Sequence, residues 1–340
     1  NFGSGHAGSS TSCSCRRGHP MALEALSEAD EAVLAKALPT VPLLAAHRRS
    51  ALAVTRLGGL TNIVFKVSAP GDDGGVPFCL RCPGAGTETY IDRAAEKHNA
   101  LAADRAGVGP KVLHFGDNGV MLMPLLSGET MSPQAFQSKP GATVRAGAAL
   151  KKLHGSGETF QPTFELFEQI DKYLGELGSD AKLPDGYHET MAMAEDVRAA
   201  LNARPLPSAP CHCDPVCENF VDDADAGVMR ILDFEYAGMN DPMWDLGDLS
   251  VEAGLDDAAE EAFLAAYFGD VPPSEAELGR VACYKAMSDV LWTLWGLLQH
   301  KNGNPAEDFW AYSIGRFERC RALMATPAFA QHVAAVRAGP

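Results

Sequence analysis

Residues 208–247 carry the side chains best suited to chemistry in this sequence. The segment reads His-Cys-Asp at 212–214, reaches Asn219 five residues after the aspartate, and ends a strand-like run with Asp-Phe-Glu at 233–235. Phosphoryl transfer needs one carboxylate to orient the attacking hydroxyl and oxygen ligands to hold Mg²⁺ against the phosphates. An aspartate, an asparagine and a second aspartate in this order supply that set, so the segment predicts phosphoryl transfer.

The spacing within this segment matches the catalytic loop of kinases, H-x-D-x-x-x-x-N, with Asp-Phe-Glu in place of Asp-Phe-Gly. Each residue alone has an ordinary explanation, as a helix cap, a turn residue or an acid at a strand end. Their order, downstream of a β-rich region and a hinge, favours a kinase active site.

A zinc site is the competing interpretation, because residues 211–217 hold three cysteines beside His212. Two further cysteines, Cys79 and Cys82, lie in a predicted strand. Side chains three residues apart on a strand point to opposite faces, so this pair is poorly placed to bind one ion. We therefore interpret these cysteines as small buried apolar residues.

A glycine-rich turn precedes these residues and suits a bound phosphate. Gly58 and Gly59 interrupt two strand-like runs, and Thr61 and Asn62 follow. Glycines let the backbone approach phosphates closely, and the polar side chains add further groups. Many hairpins carry two glycines, so the turn supports phosphate binding only because it precedes the other motifs in the chain.

A cation and a carboxylate follow the turn. Arg81 lies in the third predicted strand and Glu96 in the next helix. In kinases such a pair positions the α- and β-phosphates of ATP. The alternative is an ordinary surface ion pair or no pair at all, and Lys66 is a second cation on a less suitable strand.

The aromatic residues near the C-terminus suit a cationic ligand. Trp292 and Trp295 share a helix face by their spacing, and Phe309-Trp-Ala-Tyr312 follows. Two such rings can wall a pocket for a quaternary ammonium by cation–π attraction. Core packing is the alternative explanation of an aromatic stripe.

The hydrophobic pattern predicts an α+β, bilobal fold with a small antiparallel β lobe (21–124) and a larger, mainly helical lobe (125–340). A capped helix is expected at 27–37, strands at 51–57, 62–67, 76–82, 111–115 and 119–123, and a helix at 88–106. Residues 124–128 are typical of a hinge, and 208–247 of a non-helical segment. Further helices are expected near 142–155, 163–177, 187–203, 257–268, 275–301 and 306–323.

Composition narrows the possible partners and location. The net charge of −16 disfavours nucleic acid, and no apolar run is long enough to span a membrane. Nine cysteines without a signal peptide indicate reduced thiols, and hence a cytoplasmic protein. Residues 1–20 are rich in glycine and serine, and we interpret them as a disordered leader or expression remnant.

Together these motifs make the chain resemble the choline/ethanolamine kinase family, within the wider group of aminoglycoside-phosphotransferase-like proteins that share a protein-kinase-like fold. The resemblance runs in order over about 50–320. The proline-glycine-threonine stretch resembles that of bacterial-type members. The matching stretches are Gly58–Asn62, Phe65–Val67, Leu80–Arg81, Pro83–Thr87, Ile91–Arg93 with Glu96, His212–Asn219, Asp233–Ala237, Asn240, Asp245–Gly247, Trp292–Trp295, Tyr312 and Arg316–Phe317.

The resemblance implies a role for each matching residue. ATP would bind with its adenine against Met123 and Leu125 and its phosphates near the glycine turn. The catalytic base would be Asp214, and Asp245 would brace its loop. The ligands of Mg²⁺ would be Asn219 and Asp233, with Glu235 near the metal or the acceptor. The acceptor's cation would meet Glu252, Trp292, Trp295 and Tyr312.

Some departures leave the acceptor open. Pro215 and Cys217 are unusual in the loop, Phe309 stands where some members have tyrosine, and Trp310 is an addition. Choline is the expected acceptor. Ethanolamine, thiamine, an aminoglycoside or a sugar are alternatives on the same fold, and a pseudokinase that binds without turnover is the alternative from another class.

Overall fold

The computed structural model describes residues 26–58, 62–70, 77–84, 86–87, 91–305 and 307–339, so the predicted leader lies outside the described residues. Helix α1 (Glu28–Ala37) begins with the predicted cap. The Asp30 backbone N–H donates to Ser27 Oγ at 3.1 Å, and the Ser27 N–H donates to the Asp30 carboxylate at 3.2 Å. This reciprocal pair satisfies two backbone donors that a helix start leaves free.

Five antiparallel strands form the first sheet, in the spatial order β1-β2-β3-β5-β4. Helix α3 (Arg93–Ala106) connects β3 to β4. The predicted meander is confirmed, although β4 is shorter than the strand expected at 111–115. The strands are β1 (Ala53–Gly58), β2 (Asn62–Ser68), β3 (Phe78–Pro83), β4 (His114–Phe115) and β5 (Met121–Pro124).

The two faces of this sheet pack against different partners. Leu80 and Cys82 belong to a core formed with α1 and the short helix α2 (Pro42–Ala45). Cys79 lies in a separate cluster on the other face, with residues of α3 and β5. The predicted opposition of the two cysteines is confirmed, and Arg81 shares the face of Cys79.

Helices make up most of the remaining chain, around the long and largely buried α10. Every helix predicted beyond the hinge is present, within three residues at each end. The helices of this part of the chain are α4 (Pro133–Ser138), α5 (Ala142–His154), α6 (Leu166–Leu177), α7 (Tyr187–Ala203), α8 (Met243–Glu252), α9 (Asp257–Phe268), α10 (Glu275–Lys301), α11 (Phe309–Met324) and α12 (Pro327–Ala338).

Three of these helices were not predicted: α4, α8 and α12. The prediction that 208–247 is non-helical is wrong at its end, since α8 starts at Met243. Residues 243–251 are all buried, so this helix shows no apolar stripe with a period of 3.6 residues. Helix α4 has only 6 residues, too few to show such a period.

Two small sheets surround the segment that carries the predicted chemistry. One contains β6 (Glu129–Thr130), β8 (Phe220–Asp223) and β9 (Val228–Ile231), and the other pairs β7 (Ala209–Cys211) with β10 (Gly238–Asn240). The loop with Asp214 connects β7 to β8, and Asp233 follows β9. The α+β, two-lobed fold is thus as predicted. Of the helices in the described ranges, none has the length and hydropathy to cross a bilayer.

Candidate active site

The loop that carries Asp214 is held by the start of α8. Cys213, directly before it, has a φ of 66°, a left-handed conformation that residues other than glycine seldom adopt. Its N–H donates to Asp245 Oδ1 at 2.9 Å, and its carbonyl accepts from Trp244 Nε1 at 3.1 Å. Such a backbone costs about 1–3 kcal/mol. The two hydrogen bonds offset this cost and fix the direction in which Asp214 leaves the backbone.

Asp245 is fully buried and makes two further contacts. The His212 N–H donates to its Oδ2 at 2.7 Å, and His154 Nε2 lies 2.9 Å from the same oxygen. The other ring nitrogen of His154 lies 2.9 Å from the Tyr267 hydroxyl. A buried carboxylate with this many donors is well stabilised, so Asp245 can brace the loop.

Hydrogen bonds also join this loop to the segment before Asp233. The His212 Nε2 atom lies 2.7 Å from the carbonyl oxygen of Leu232, and the Leu232 N–H donates to the carbonyl of Asn219 at 2.7 Å. The Asn219 amide in turn donates to the carbonyl of Asp214 at 3.0 Å. These contacts bring the predicted base and the predicted metal ligands into one site.

Asp233 has a φ of 61°. In the described part of the chain, Asp233 and Cys213 are the two residues other than glycine with positive φ. Both lie in this site. Backbone strain of this kind concentrates where a fold must aim a functional group.

Arg81 connects the sheet to the acids of this site. Its Nη2 atom donates to Asp233 Oδ1 and to Glu235 Oε2, each at 2.8 Å, while Nη1 pairs with Glu96. The expected contact between strand and helix is therefore present. The guanidinium is almost fully buried, and three surrounding carboxylates raise its already high pKa despite that burial. It is a permanent positive charge at the point where β3, α3 and Asp233 meet.

The glycine turn is partly described. Gly58 has a φ of 131° and ends a strand whose register shifts beside it. Such a φ favours glycine. Gly59 and Thr61 lie outside the described residues, so their predicted contacts stay predictions. The Asn62 amide donates to Glu235 at 3.0 Å and lies 3.4 Å from Asp233, so it contacts the acids.

The acids fit a divalent cation. Oxygen atoms of Glu96, Asp233 and Glu235 lie within 4.8 Å of one another. Arg81 contacts all three acids, and Arg93 also lies near Glu96 and Glu235. Asp233, with 28% of its side chain exposed, is more accessible to a cation than Glu96 or Glu235. Carboxylate oxygens are the ligands that Mg²⁺ prefers. When bound, Mg²⁺ would supply positive charge opposite the phosphate oxygens.

Burial and mutual repulsion raise the pKa values of the acids here. Burial, then the charges of Glu252, Asp233 and Glu235, raise the pKa of Asp214 to about 8, while Arg316 opposes the change. Burial and then the charge of Asp233 raise the pKa of Glu235 to about 7, while Arg81 opposes it. A carboxyl group with a raised pKa holds a proton more strongly, which suits a general base.

Aromatic rings from α10 and α11 lie together as predicted. The ring centroids of Trp292 and Trp295 are 6.1 Å apart, and those of Trp295 and Tyr312 are 5.8 Å apart. Phe309 packs edge-on against Trp295 at 5.4 Å. The charges of Glu252 and Asp214 both act on the Tyr312 hydroxyl, although burial is the main reason that its pKa is raised. Tyr312 is therefore within electrostatic range of the predicted base.

Glu252, the acid predicted to meet the acceptor, has a partner within the chain. Arg316 Nη1 lies 2.6 Å from Glu252 Oε1, and the same guanidinium lies over the Tyr312 ring at 4.7 Å. The same Nη1 atom is 3.5 Å from Asp289, which Arg319 also binds. The sequence resemblance includes Arg316 but implies no role for it.

The residues predicted to contact adenine lie at the edge of the first sheet. Met123 is buried in the cluster that also contains Cys79, and Leu125 packs against that cluster. The Leu125 N–H donates to the carbonyl of Pro77 at 2.8 Å. Their contact with adenine stays a prediction.

The sequence interpretation gives no role to three charged residues near this site: Asp248, which is buried, and Arg93 and Arg316, which are largely buried. Arg93 lies 2.6 Å from Glu96 and 3.4 Å from Glu235. Asp248 is fully buried and accepts from Ser288 Oγ at 2.5 Å. A signal was available for two of them. Asp248 lies four residues before Glu252, and Arg316 four residues after Tyr312, the spacing that places helix side chains side by side.

Comparison with known proteins decides the family. The family model described as choline/ethanolamine kinase matches residues 54–320, which is most of the chain. The chain belongs to this family. It is therefore a kinase that uses ATP to phosphorylate an alcohol group of a small, choline-like molecule.

A solved structure of a choline/ethanolamine kinase family protein from Mesorhizobium loti is 51% identical and superposes with a TM-score of 0.81, covering 92% of this chain and 99% of that one. Choline kinase LicA from Streptococcus pneumoniae is 24% identical, with a TM-score of 0.71, covering 88% and 99%. Ethanolamine kinase 2 of Rattus norvegicus is 26% identical over 267 residues, 71% of this chain and 68% of that protein. The predicted family and kinase-like fold are confirmed.

Proposed function

We propose that this kinase phosphorylates the hydroxyl group of choline. The observation that carries the proposal is the packing of Trp292, Trp295 and Tyr312 into one group of rings. A quaternary ammonium has no N–H to donate, so it binds best to the faces of aromatic rings. The related LicA protein is a choline kinase, whereas the rat relative is an ethanolamine kinase.

In this proposal Asp214 accepts the proton of the choline hydroxyl. The hydroxyl oxygen forms a bond to the γ-phosphorus as the bond to the β-phosphate oxygen breaks, giving phosphocholine and ADP. The hydrogen bonds of the Cys213 backbone with Asp245 and Trp244, here called the backbone clamp, support this role, because they fix the backbone next to the Asp214 carboxylate. A general base must lie within hydrogen-bonding reach of the proton that it removes.

Arg81 and the acids around it would serve the nucleotide. We propose that Arg81 contacts the phosphates of ATP and that Glu96 holds it in position. Asn219, Asp233 and Glu235 would hold Mg²⁺, and the turn at Gly58 and Gly59 would lie over the phosphates. The permanent charge of Arg81 and its place beside Asp233 and Glu235 support this arrangement.

An acceptor panel tests the proposal. The purified protein is given ATP and Mg²⁺ with choline, ethanolamine, thiamine, an aminoglycoside or a sugar, and ADP release is measured. We expect the highest kcat/KM with choline. A clear preference for another acceptor would refute the choline assignment, and no turnover with any acceptor would favour the pseudokinase alternative. Asp214→Ala serves as the inactive control.

A further inference from the structure

Helix α3 is bonded to the helical part of the molecule as well as to the first sheet. It follows β3 and leads to β4, so the chain connects it to the sheet at both ends. Its side chains also contact a segment that follows α5. The His98 Nε2 atom lies 2.7 Å from the carbonyl oxygen of Thr159. Arg105 forms a salt bridge of 2.6 Å with Glu158. The helix therefore joins the sheet to the helical part of the chain.

Asn99 is the buried member of this contact, with only 1% of the residue exposed. Its Nδ2 group donates to the carbonyl oxygen of Gln161 at 2.6 Å and to that of Ala237 at 2.8 Å. Its Oδ1 atom accepts from the Gln161 N–H at 2.8 Å. Both N–H donors and the oxygen of the amide are thus used, so the side chain is held in one orientation.

The two partners of Asn99 lie next to the segments that carry the chemistry. Ala237 comes two residues after Glu235 in the chain. The carbonyl of the residue after Gln161 accepts from the N–H of Met239 at 3.1 Å. Met239 belongs to β10, which pairs with β7, the strand before the loop of the proposed base. One amide therefore connects α3 to both sides of the proposed transfer centre.

The same helix carries the acid that holds Arg81. Glu96 lies three residues before Asn99 on α3, so the two side chains lie on neighbouring positions of the helix surface. Glu96 pairs with Arg81, whose Nη2 atom contacts Asp233 and Glu235. In protein kinases a comparable ion pair between strand and helix must be in place for catalysis, and the position of that helix controls activity. The bonds of Asn99 therefore fix the helix on which this ion pair depends.

We propose that Asn99 is a positioning residue for phosphoryl transfer. By bonding α3 to the carbonyl of Ala237, it holds Glu96, and through Glu96 it holds Arg81, beside the acids that follow β9. The inference rests on the proposed contact of Arg81 with the phosphates of ATP. It goes further by adding a residue to which neither the sequence interpretation nor the proposed mechanism gives a role.

The test compares Asn99→Ala with the wild type, using the acceptor that the wild type turns over fastest. Without the amide, α3 can shift from its place, so kcat/KM for ATP should fall about tenfold, less than the roughly hundredfold cost of a displacement of about 1 Å. The fall should include a rise in KM for ATP, whereas KM for the acceptor should not change. A mere loss of folded enzyme would lower kcat in proportion and leave both KM values as they are.

Two controls separate this role from other effects. Arg105→Gln removes the salt bridge from the same helix to the same segment, and KM for ATP should not change because that bridge does not involve Ala237. Thr190→Ala removes another buried hydrogen bond, from its hydroxyl to the carbonyl of Gly186 at 3.0 Å on α7. It should lower the melting temperature and leave KM for ATP unchanged. A rise in either control equal to that in Asn99→Ala would overturn the proposal.

A second variant decides the question if Asn99→Ala does not fold. Asn99→Ser keeps a hydroxyl group in place of the amide and so removes fewer hydrogen bonds. A rise in its KM for ATP of about threefold or more supports the proposal, in keeping with the loss of one hydrogen bond. An unchanged KM for ATP in this variant overturns it.

The underlying proposals fail in different ways. A wild type that is inactive with every acceptor would refute the proposed function. A folded Arg81→Gln variant with the KM for ATP of the wild type would refute the proposed contact of Arg81 with ATP, and the role of Asn99 with it. A KM for ATP that rises in Arg81→Gln but not in folded Asn99→Ala would refute only the role of Asn99.

Discussion

The two halves of the proposed active site are built differently. On the phosphoryl-transfer side, the position of Asp214 is set by backbone hydrogen bonds to Asp245 and Trp244, and Arg81 ties both acids after β9 to the first sheet. On the acceptor side, the contacts that join α8, α10 and α11 in the described residues are between side chains. A fixed transfer centre can therefore be combined with an acceptor pocket that changes by single side chains.

An arginine bridges acids in both halves. Arg81 lies between Asp233 and Glu235, and Arg316 lies between Glu252 and Asp289. We expect changes on the transfer side to affect kcat with any acceptor. Changes on the acceptor side should affect KM for the acceptor and leave KM for ATP alone.

The largest effect is expected from Asp214→Asn. An amide cannot accept the hydroxyl proton as a carboxylate does, so kcat should fall about a thousandfold. The backbone clamp on Cys213 stays intact, so ATP should bind as in the wild type. Steady-state ADP release and calorimetric titration with ATP measure the two quantities. Turnover within a few-fold of the wild type would remove Asp214 from its assigned role.

Asp245→Asn should have the next largest effect. The amide nitrogen of asparagine would face one of the two backbone N–H groups, of His212 or Cys213, that now donate to Asp245, so the loop should shift. A displacement of about 1 Å at a catalytic group can cost about a hundredfold in rate, and we expect kcat to fall by that amount with every acceptor. Asp256→Ala is a matched control, because it removes an aspartate that caps α9 away from the loop. Equal losses in both variants would show a general loss of stability.

Trp295→Ala tests the acceptor side and should raise KM for choline about tenfold, in keeping with about 1–2 kcal/mol for a cation–π contact. KM for ATP should not change. Trp310→Phe is the control, since the ring contacts that the structure describes for Trp310 are with Lys182 and His300. An unchanged KM for choline in Trp295→Ala would assign Trp292 and Trp295 to core packing.

The smallest effect is expected from Asp248→Asn. Burial, then the charges of Glu252 and Asp214, raise the pKa of Asp248 well above its usual value, while Ser288 and Arg316 oppose the change. The folded state holds this proton more tightly than the unfolded state. The resulting stability is present at low pH and is lost as the pH rises through the folded-state pKa.

The amide variant has no such proton to lose. Its melting temperature should therefore gain about 2 °C on the wild type between pH 6 and pH 9. Scanning calorimetry at the two pH values measures the difference. A variant whose melting temperature falls relative to the wild type at pH 9 would show that Asp248 is ionised in the folded state.

The transfer side was largely predictable from sequence. The spacing from His212 to Asn219 and the acids at 233–235 predict residues that the structure does bring together, and the alternation in β3 places Arg81 on the α3 side of the sheet. The left-handed backbone at Cys213 and Asp233 was not predictable, because it depends on hydrogen bonds from distant residues such as Trp244.

The acceptor side was predictable only in its ring residues. The spacing of Trp292 and Trp295 on one helix predicts that they share a face. The contact of Glu252 with Arg316, in contrast, joins residues 64 positions apart on two helices. Helix α8, which carries Glu252, is buried over nearly its whole length and so lacks the periodic pattern that reveals a surface helix. Pairings of this kind depend on how helices pack.

The central claim is that this site transfers the γ-phosphate of ATP to choline with Asp214 as the base. Phosphorus-31 NMR of the enzyme with ATP, Mg²⁺ and choline tests it directly. We predict a phosphate monoester that grows in equal amount with ADP, and no such signal with Asp214→Asn. Inorganic phosphate without an ester, or an ester that still forms at a comparable rate in the variant, would contradict the account.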